Sequence, residues 1–212
     1  LAANGGKADA NALYSVWGGA NDLFAVAAGA PAQATIGAAV ADQIGMVATL
    51  KGAGAQYVMV PNLPDIGLTP SSRAGGPVAM ATGTALAKAY NDALFGGLKQ
   101  AGLQVIPVDT FSILQEIVAN PGTFGFRNVA NPACLTQPAP KGDSALFCNP
   151  FSYAAPDAAD AYVFADGVHP TTGAHRILGE YAISVLEAPR LQQVLSHSAQ
   201  TIGRARADQV GG

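Results

Sequence analysis

Short runs of strand-forming apolar residues alternate along this chain with longer stretches whose apolar residues recur every three or four positions. No other feature restricts the fold as strongly. Residues 13–17 form an apolar run that stops at Gly18-Gly19, the pattern of a buried strand ending in a sharp turn. Ile36, Val40, Ile44 and Val47 then mark one face of a helix over residues 35–50, with Thr35 as its expected N-cap. Residues 57–60 run continuously apolar into Pro61, as a strand covered on both faces does. Leu86, Tyr90, Leu94 and Leu98 define a second helix within residues 78–101, and Gly102 stands where a C-cap belongs. Residues 103–108 supply a third strand, and residues 111–118 a short helix. Strand and helix in this strict succession predict an α/β fold, a doubly wound parallel sheet with right-handed crossovers.

Residues 120–162 break the pattern. Pro, Gly, Asn and both cysteines dominate, and no period persists. Loops of that length in a compact domain are usually functional or covalently pinned. Cys134 and Cys148 lie here, and an even count in loop sequence predicts a disulfide and an oxidising compartment, with two free buried thiols as the alternative. Closing a loop of about 15 residues would stabilise by roughly 3 kcal/mol in the chain-entropy model. After the excursion, Ala174, Ile177, Leu178, Tyr181, Ala182, Val185 and Leu186 give the clearest amphipathic helix in the chain, over residues 171–186. The domain is expected to occupy residues 1–190. Residues 191–212, with Gln192, Gln193, Arg204, Arg206 and Asp208, read as a polar tail or linker helix.

Composition narrows the function classes. The 212 residues carry a formal charge of -3 with no run of Lys or Arg, which removes the electrostatic footprint of a nucleic-acid binder. No apolar stretch approaches the ~20 residues that span a bilayer. The chain begins at Leu1 without a charged n-region and apolar h-region, so the native start is expected to lie elsewhere.

Two short constellations carry the chemistry. Gly19-Ala20-Asn21-Asp22 follows the first strand, where open α/β sheets place their ligands. A glycine turn there would let the Asn21 amide donate to an oxyanion, although Asn and Asp after Gly are also ordinary turn residues. Asp166-Gly167-Val168-His169-Pro170-Thr171 precedes the last helix. A carboxylate three residues before an imidazole can hold Nδ1 and leave Nε2 to take a proton from a nucleophile. The plain alternative is an Asp and a His serving as turn and cap, and a metal-ligand role for the two is a weaker third reading.

Together these blocks resemble the GDSL or SGNH hydrolase family. Residues 14–24, Tyr-Ser-Val-Trp-Gly-Gly-Ala-Asn-Asp-Leu-Phe, are similar to the family's asparagine block, Asp166 to Thr171 to its Asp-x-x-His block, and Val60-Pro61-Asn62-Leu63-Pro64-Asp65 to the segment after the next strand. The likeness covers roughly residues 10–188 and is greatest to bacterial autotransporter esterases, whose passenger domain leads through a helix to an outer-membrane barrel. It implies a flavodoxin-like three-layer α/β/α fold and a secreted or outer-membrane-anchored carboxylic ester hydrolase, an esterase or lipase with a Ser-His-Asp mechanism. His169 would be general base, Asp166 its orienting carboxylate, and Asn21 an oxyanion donor with a backbone N–H near Gly19. The substrate would be a small-molecule or lipid ester, with no metal and no organic cofactor.

The resemblance also leaves a gap. Family members carry their nucleophilic Ser in a Gly-Asp-Ser-Leu block after a first strand, ahead of the asparagine block, and only 12 residues precede Leu13 here. The nucleophile and the N-terminal strands are therefore expected in a segment absent from this sequence. The one Gly-Asp-Ser, Gly142-Asp143-Ser144, follows a Pro-rich stretch rather than a strand and comes after the asparagine block, which argues against Ser144 as nucleophile. Ser15 reads as core, His175 as a packed helix residue, His197 as a solvated tail residue, and Asp22 and Asp65 as turn supports. Without flanking strands, residues 13–17 would present an open edge that seeks a complementing N-terminal piece or a second copy. The rival reading is then an inactive fragment or pseudoenzyme that associates through that edge.

Overall fold

The computed structural model describes residues 1–138, 142 and 144–188. Two compact units divide the chain, Leu1–Leu178 and Gly179–Gly212, and of the second only the helical residues 179–188 are described. The expected tail, His197 included, lies outside the described residues.

Three parallel strands run through the first unit: β1 (Leu13–Ser15), β2 (Tyr57–Pro61) and β3 (Ile106–Val108), in the order β1-β2-β3. Leu13 pairs with Tyr57 and Met59 with Ile106. Between β1 and β2 come α1 (Ala20–Ala27) and α2 (Ala32–Gly52); between β2 and β3, α3 (Pro70–Ala74) and α4 (Gly76–Gln100); after β3, α5 (Thr110–Ala119). A short α6 (Ala158–Ala161) and a final helix α7 (172–188) complete the described elements. None is long and apolar enough to cross a membrane.

Helix ends explain why the chain reverses where it does. At the end of α4, Gly102 sits at φ +66°, its N–H donates to Lys99 O at 3.1 Å, and the Leu103 N–H donates to Leu98 O at 3.0 Å. That is a Schellman stop, which only glycine adopts without strain. At the start of α5, the Asp109 carboxylate accepts from the Ser112 N–H at 3.1 Å, as an N-cap should.

Two apolar clusters form the core. One gathers Leu23 of α1, Val40 and Val47 of α2, Val58 and Val60 of β2, and Leu94 and Leu98 of α4. The other joins Ile117 of α5 to Phe126, Val163, Phe164 and Ala174. This arrangement fits a three-layer α/β/α fold.

Three expectations need correction. β1 is not a buried strand: it pairs only with β2 among the described residues, so Leu13 is 46% exposed and Ser15 is exposed rather than core. Tyr57 is likewise half exposed and Met59 only partly buried, so β2 is buried on the face of Val58 and Val60, and its other face is covered only at Pro61. Thr35 does not cap α2; the helix starts at Ala32, and the Thr35 N–H donates to Pro31 O at 3.0 Å. The helix expected over residues 78–101 is formed as α4, and the short α3 ahead of it, separated from α4 at Gly75 and Gly76 with Gly76 at φ +81°, was not anticipated.

The irregular excursion is sewn down by isolated bridges, Asn128 to Tyr162 and Cys134 to Tyr153. The Cys134–Cys148 disulfide is formed, with the two Cα atoms 5.7 Å apart.

Candidate active site

The turn between β1 and α1 is built around a glycine that nothing else could replace. Gly19 lies at φ +102°, and a Cβ there would sit 2.3 Å from Cζ of Tyr90. The Tyr90 hydroxyl donates to Gln43 Oε1 at 2.6 Å, and Gln43 Nε2 donates to Val16 O at 3.1 Å. The turn is thereby tied to α4 and α2 at once. Burial, with the Asp22 and Asp42 carboxylates adding to it, pushes the Tyr90 pKa up to about 12, so the phenol stays a donor. Asn21 falls in the first turn of α1, exposed, its side-chain amide without a partner among the described residues. Asp22 occupies the same turn, where a carboxylate suits the helix dipole.

The second block forms a tight carboxylate–imidazole turn. Asp166, only 5% exposed, accepts through Oδ1 from the N–H groups of Val168 at 2.8 Å and His169 at 2.7 Å. Its Oδ2 accepts from the Ala145 N–H at 2.7 Å and lies 2.8 Å from His169 Nδ1. Burial alone would raise this carboxyl, but the bonds from His169, Val168 and Ala145 outweigh it and hold the group below the ordinary carboxylate range. An ionised Asp166 can only accept, so Nδ1 carries the proton and Nε2 presents its lone pair. The His169 side chain is 67% exposed.

The surroundings fix this turn. A Cβ on Gly167 would lie 2.3 Å from Ser71 Oγ, and the Ser71 N–H donates to Gly167 O at 2.9 Å, so α3 is packed directly on it. Thr171 Oγ1 donates to Tyr162 O at 2.6 Å and accepts from the Ala174 N–H at 3.2 Å, which caps α7.

Both blocks line one cavity of about 360 Å³ in the first unit. Asn21, Trp17 and Phe24 line it together with His169, Phe164 and Val163, while Leu63, Ile66, Ile113 and Ile117 make its wall largely apolar. Gly18 and Ala20 contribute to the lining, whereas Gly19 does not and turns its α-carbon to Tyr90. Ser144 does not line the cavity either; its Oγ accepts from the Leu146 N–H at 3.3 Å. His175, expected to be packed, is exposed and lines the cavity from α7. No serine or cysteine is among the described lining residues. Its two hydroxyls are committed, Thr69 Oγ1 to Ile66 O at 2.8 Å and Thr110 Oγ1 to Asn62 O. Among the described residues no three His, Cys, Asp or Glu side chains gather as a metal would require.

The sequence pattern of GDSL-like lipases and acylhydrolases matches residues 2–182. The chain belongs to that family. Among its relatives, Esterase EstA of Pseudomonas aeruginosa is 35% identical over 96% of this chain and 30% of its own length. A Pseudomonas putida protein named for the trpE-trpG intergenic region is 33% identical over 98% of this chain and 34% of its own, and Lipase 1 of Photorhabdus luminescens is 27% identical over 93% and 40%. This GDSL-family chain thus spans between 30% and 40% of the length of these curated relatives.

Several residues that shape the site of this family member escape a linear reading. Asp65 is the turn support expected, capping Ile66–Leu68 through the Gly67 N–H at 3.0 Å, but it is also buried in the cavity wall, where its carboxylate accepts from the Thr84 hydroxyl at 2.7 Å and Gln115 Nε2 at 2.9 Å. Asn62 accepts at its carbonyl from Trp17 Nε1 at 3.0 Å and donates through Nδ2 to Asp109 Oδ1 at 2.8 Å, joining the ends of all three strands. Asn91 holds both backbone groups of Leu63, accepting at 2.7 Å and donating at 2.8 Å. Asn62 and Asp65 lie in the family-like segment 60–65, but Thr84, Asp109 and Gln115, which bond to them, lie 19 to 50 positions away.

Proposed function

We propose that this domain supplies the acid–base and oxyanion groups of a carboxylic ester hydrolase. The observation that carries the reading is the single cavity shared by Asn21, with an uncommitted amide, and His169, with Asp166 behind its Nδ1. A serine hydroxyl attacks the ester carbonyl while Nε2 of His169 takes its proton, and Asp166 stabilises the imidazolium. The tetrahedral oxyanion is met by the Asn21 amide and the N–H groups around Gly19. Collapse expels the alcohol, protonated by His169, and water repeats the sequence on the acyl-enzyme. On this reading the nucleophilic serine belongs to a segment preceding these residues, as the family resemblance implies, and the absence of a serine among the described lining residues agrees with it. The apolar wall suits an acyl chain, and the Cys134–Cys148 disulfide suits an exported protein.

A fluorophosphonate probe tests this. The chain alone should remain unlabelled, a longer protein carrying the preceding segment should label at a serine there, and His169→Ala should abolish that labelling. Undiminished labelling and hydrolysis in a folded His169→Ala protein would overturn the reading.

The free edge of β1 favours a second reading, in which the chain is an associating module. Beside it lies an open groove of about 1020 Å³ lined by Tyr14, Val16, Trp17, Met46 and Leu50. An extended segment from a second copy or a complementing N-terminal piece would pair there. A chain that stays monomeric and soluble by itself at high concentration counts against this second reading.

A further inference from the structure

The disulfide-bearing excursion reaches the Asp–His pair directly. Ala145 opens a short turn, Ala145–Phe147, and its N–H is aimed at the same Asp166 oxygen that faces His169 Nδ1. Its carbonyl accepts from the Cys148 N–H at 3.0 Å, while the Cys134 N–H donates to the carbonyl of Ala165, the residue before Asp166, also at 3.0 Å. The Cys134–Cys148 bond therefore closes a ring that runs from Asp166 through Ala165, Cys134, Cys148 and Ala145 back to Asp166.

We propose that the Ala145 N–H is a positioning group for the Asp166 carboxylate, kept on Oδ2 by the Cys134–Cys148 disulfide, so that loop geometry sets how Asp166 presents itself to His169. The inference rests on Asp166 and His169 acting as the acid–base pair. Four acceptor contacts on a buried carboxylate leave it no freedom to rotate, and among the described residues Ala145 is the only one of the donors that comes from outside residues 166–169. A charge-assisted bond of this kind is among the stronger ones a backbone N–H makes. Losing it frees Oδ2 to move with the imidazole.

The position allows a clean removal. Ala145 is the first residue of its turn, a place where proline is tolerated, and Ser144 before it is already extended at ψ 130°. Ala145→Pro deletes the one N–H, whereas Ala145→Ser keeps it. Carbon NMR of the Asp166 carboxyl and the downfield proton signal of His169 Nδ1–H read the pair in this chain without any need for turnover. Ala145→Pro should move the Asp166 titration upward and shift the Nδ1–H signal, and Ala145→Ser should leave both unchanged. The Cys134→Ser/Cys148→Ser double variant should move the titration in the same direction as proline.

A folded Ala145→Pro protein with an unmoved Asp166 titration overturns the positioning role, and an unmoved double variant overturns the part assigned to the disulfide. No variant is needed for one further check: in the wild-type chain the Ala145 amide proton must follow the Asp166 titration curve, and a flat response refutes the contact. In a longer protein carrying the nucleophile, Ala145→Pro should lower kcat/KM about three- to tenfold, the loss of one charge-assisted bond discounted for partial solvation. A shifted titration without any ester hydrolysis would sustain the positioning role and sink the catalytic reading. Hydrolysis with an indifferent titration would do the reverse.

Discussion

Replacing Gly19 by alanine should damage the β1–α1 turn far more than one methyl group suggests. At φ +102° an L-residue meets a left-handed backbone penalty of about 1–2 kcal/mol. The added Cβ would lie 2.3 Å from Tyr90 Cζ and 2.4 Å from its hydroxyl oxygen, and the ring is fully buried. Reaching van der Waals distance requires the ring to retreat by about 1 Å, which breaks the 2.6 Å bond to Gln43 and leaves two buried polar atoms unpaired, at about 1–3 kcal/mol. The sum, about 2–5 kcal/mol, is a large share of the 5–15 kcal/mol that holds a typical domain folded. Urea unfolding, followed by the fluorescence of the single tryptophan, Trp17, would show a lower midpoint at unchanged slope. Two controls separate the causes. Gly18→Ala, whose Cβ would meet nothing within 4 Å, should be nearly neutral. In a Tyr90→Leu background Gly19→Ala should cost only the backbone part, about 1–2 kcal/mol. A wild-type cost below about 1 kcal/mol, or the same cost in both backgrounds, would refute the steric reasoning.

Acid should unfold the domain through Asp109 and Asp166. Both are held below the ordinary value, Asp109 because bonds from Ser112 and Asn62 outweigh its burial, so their stabilisation is present above the unfolded pKa near ~3.9 and is lost as pH falls through it toward the folded value. Stability should be level from neutrality to about pH 5, and Asp109→Asn or Asp166→Asn should each make the acid limb shallower in urea titrations at stepped pH. Asn91→Ala should cost about 2–4 kcal/mol by chemical unfolding, because it strands both backbone groups of buried Leu63; a cost within experimental scatter would show that the clamp is dispensable. Trp17, 43% exposed and in the cavity wall, should blue-shift saturably with octanoate, and a linear response would mean that the cavity takes no acyl chain. His169→Ala should abolish hydrolysis in the nucleophile-bearing protein whereas His175→Ala should retain most of it, because His175 lacks a carboxylate behind its ring among the described residues; equal losses would contradict the assignment.

The fold was legible because periodicity reports burial. Leu94 and Leu98, four apart, both face the core, and Val58 and Val60 fill the middle strand. What failed was whatever depends on a neighbour the sequence does not announce. The open edge at residues 13–17 was anticipated from the family pattern, but an apolar run does not itself say which of its side chains are covered, so the exposure of Leu13 and Ser15 could not be read. The Asp166–His169 contact was readable because three residues of chain close it. The contact from Ala145, 21 positions away, was not, and neither was the bond between Gln43 and Tyr90, 47 positions apart. Local chemistry declares itself in a sequence; the groups that orient it come from loops whose path only packing decides.

The way polar groups are spent around the cavity bears on what it can do. At the carboxyl ends of the strands, Trp17 Nε1, Asn62, Asp65, Thr69 and Thr110 are all engaged with backbone or with one another. Such bonds hold the rim rigid and leave those atoms nothing to offer a ligand. Against an apolar wall, the side-chain groups among the described lining residues still able to meet an incoming polar atom are then the Asn21 amide and the imidazoles of His169 and His175, and of these His169 alone has Asp166 at its Nδ1. If Asn21 and His169 act as proposed, a site that commits most of its other side-chain polar groups is suited to an electrophile that becomes an oxyanion while a proton departs nearby, which is the electrostatic demand of acyl transfer.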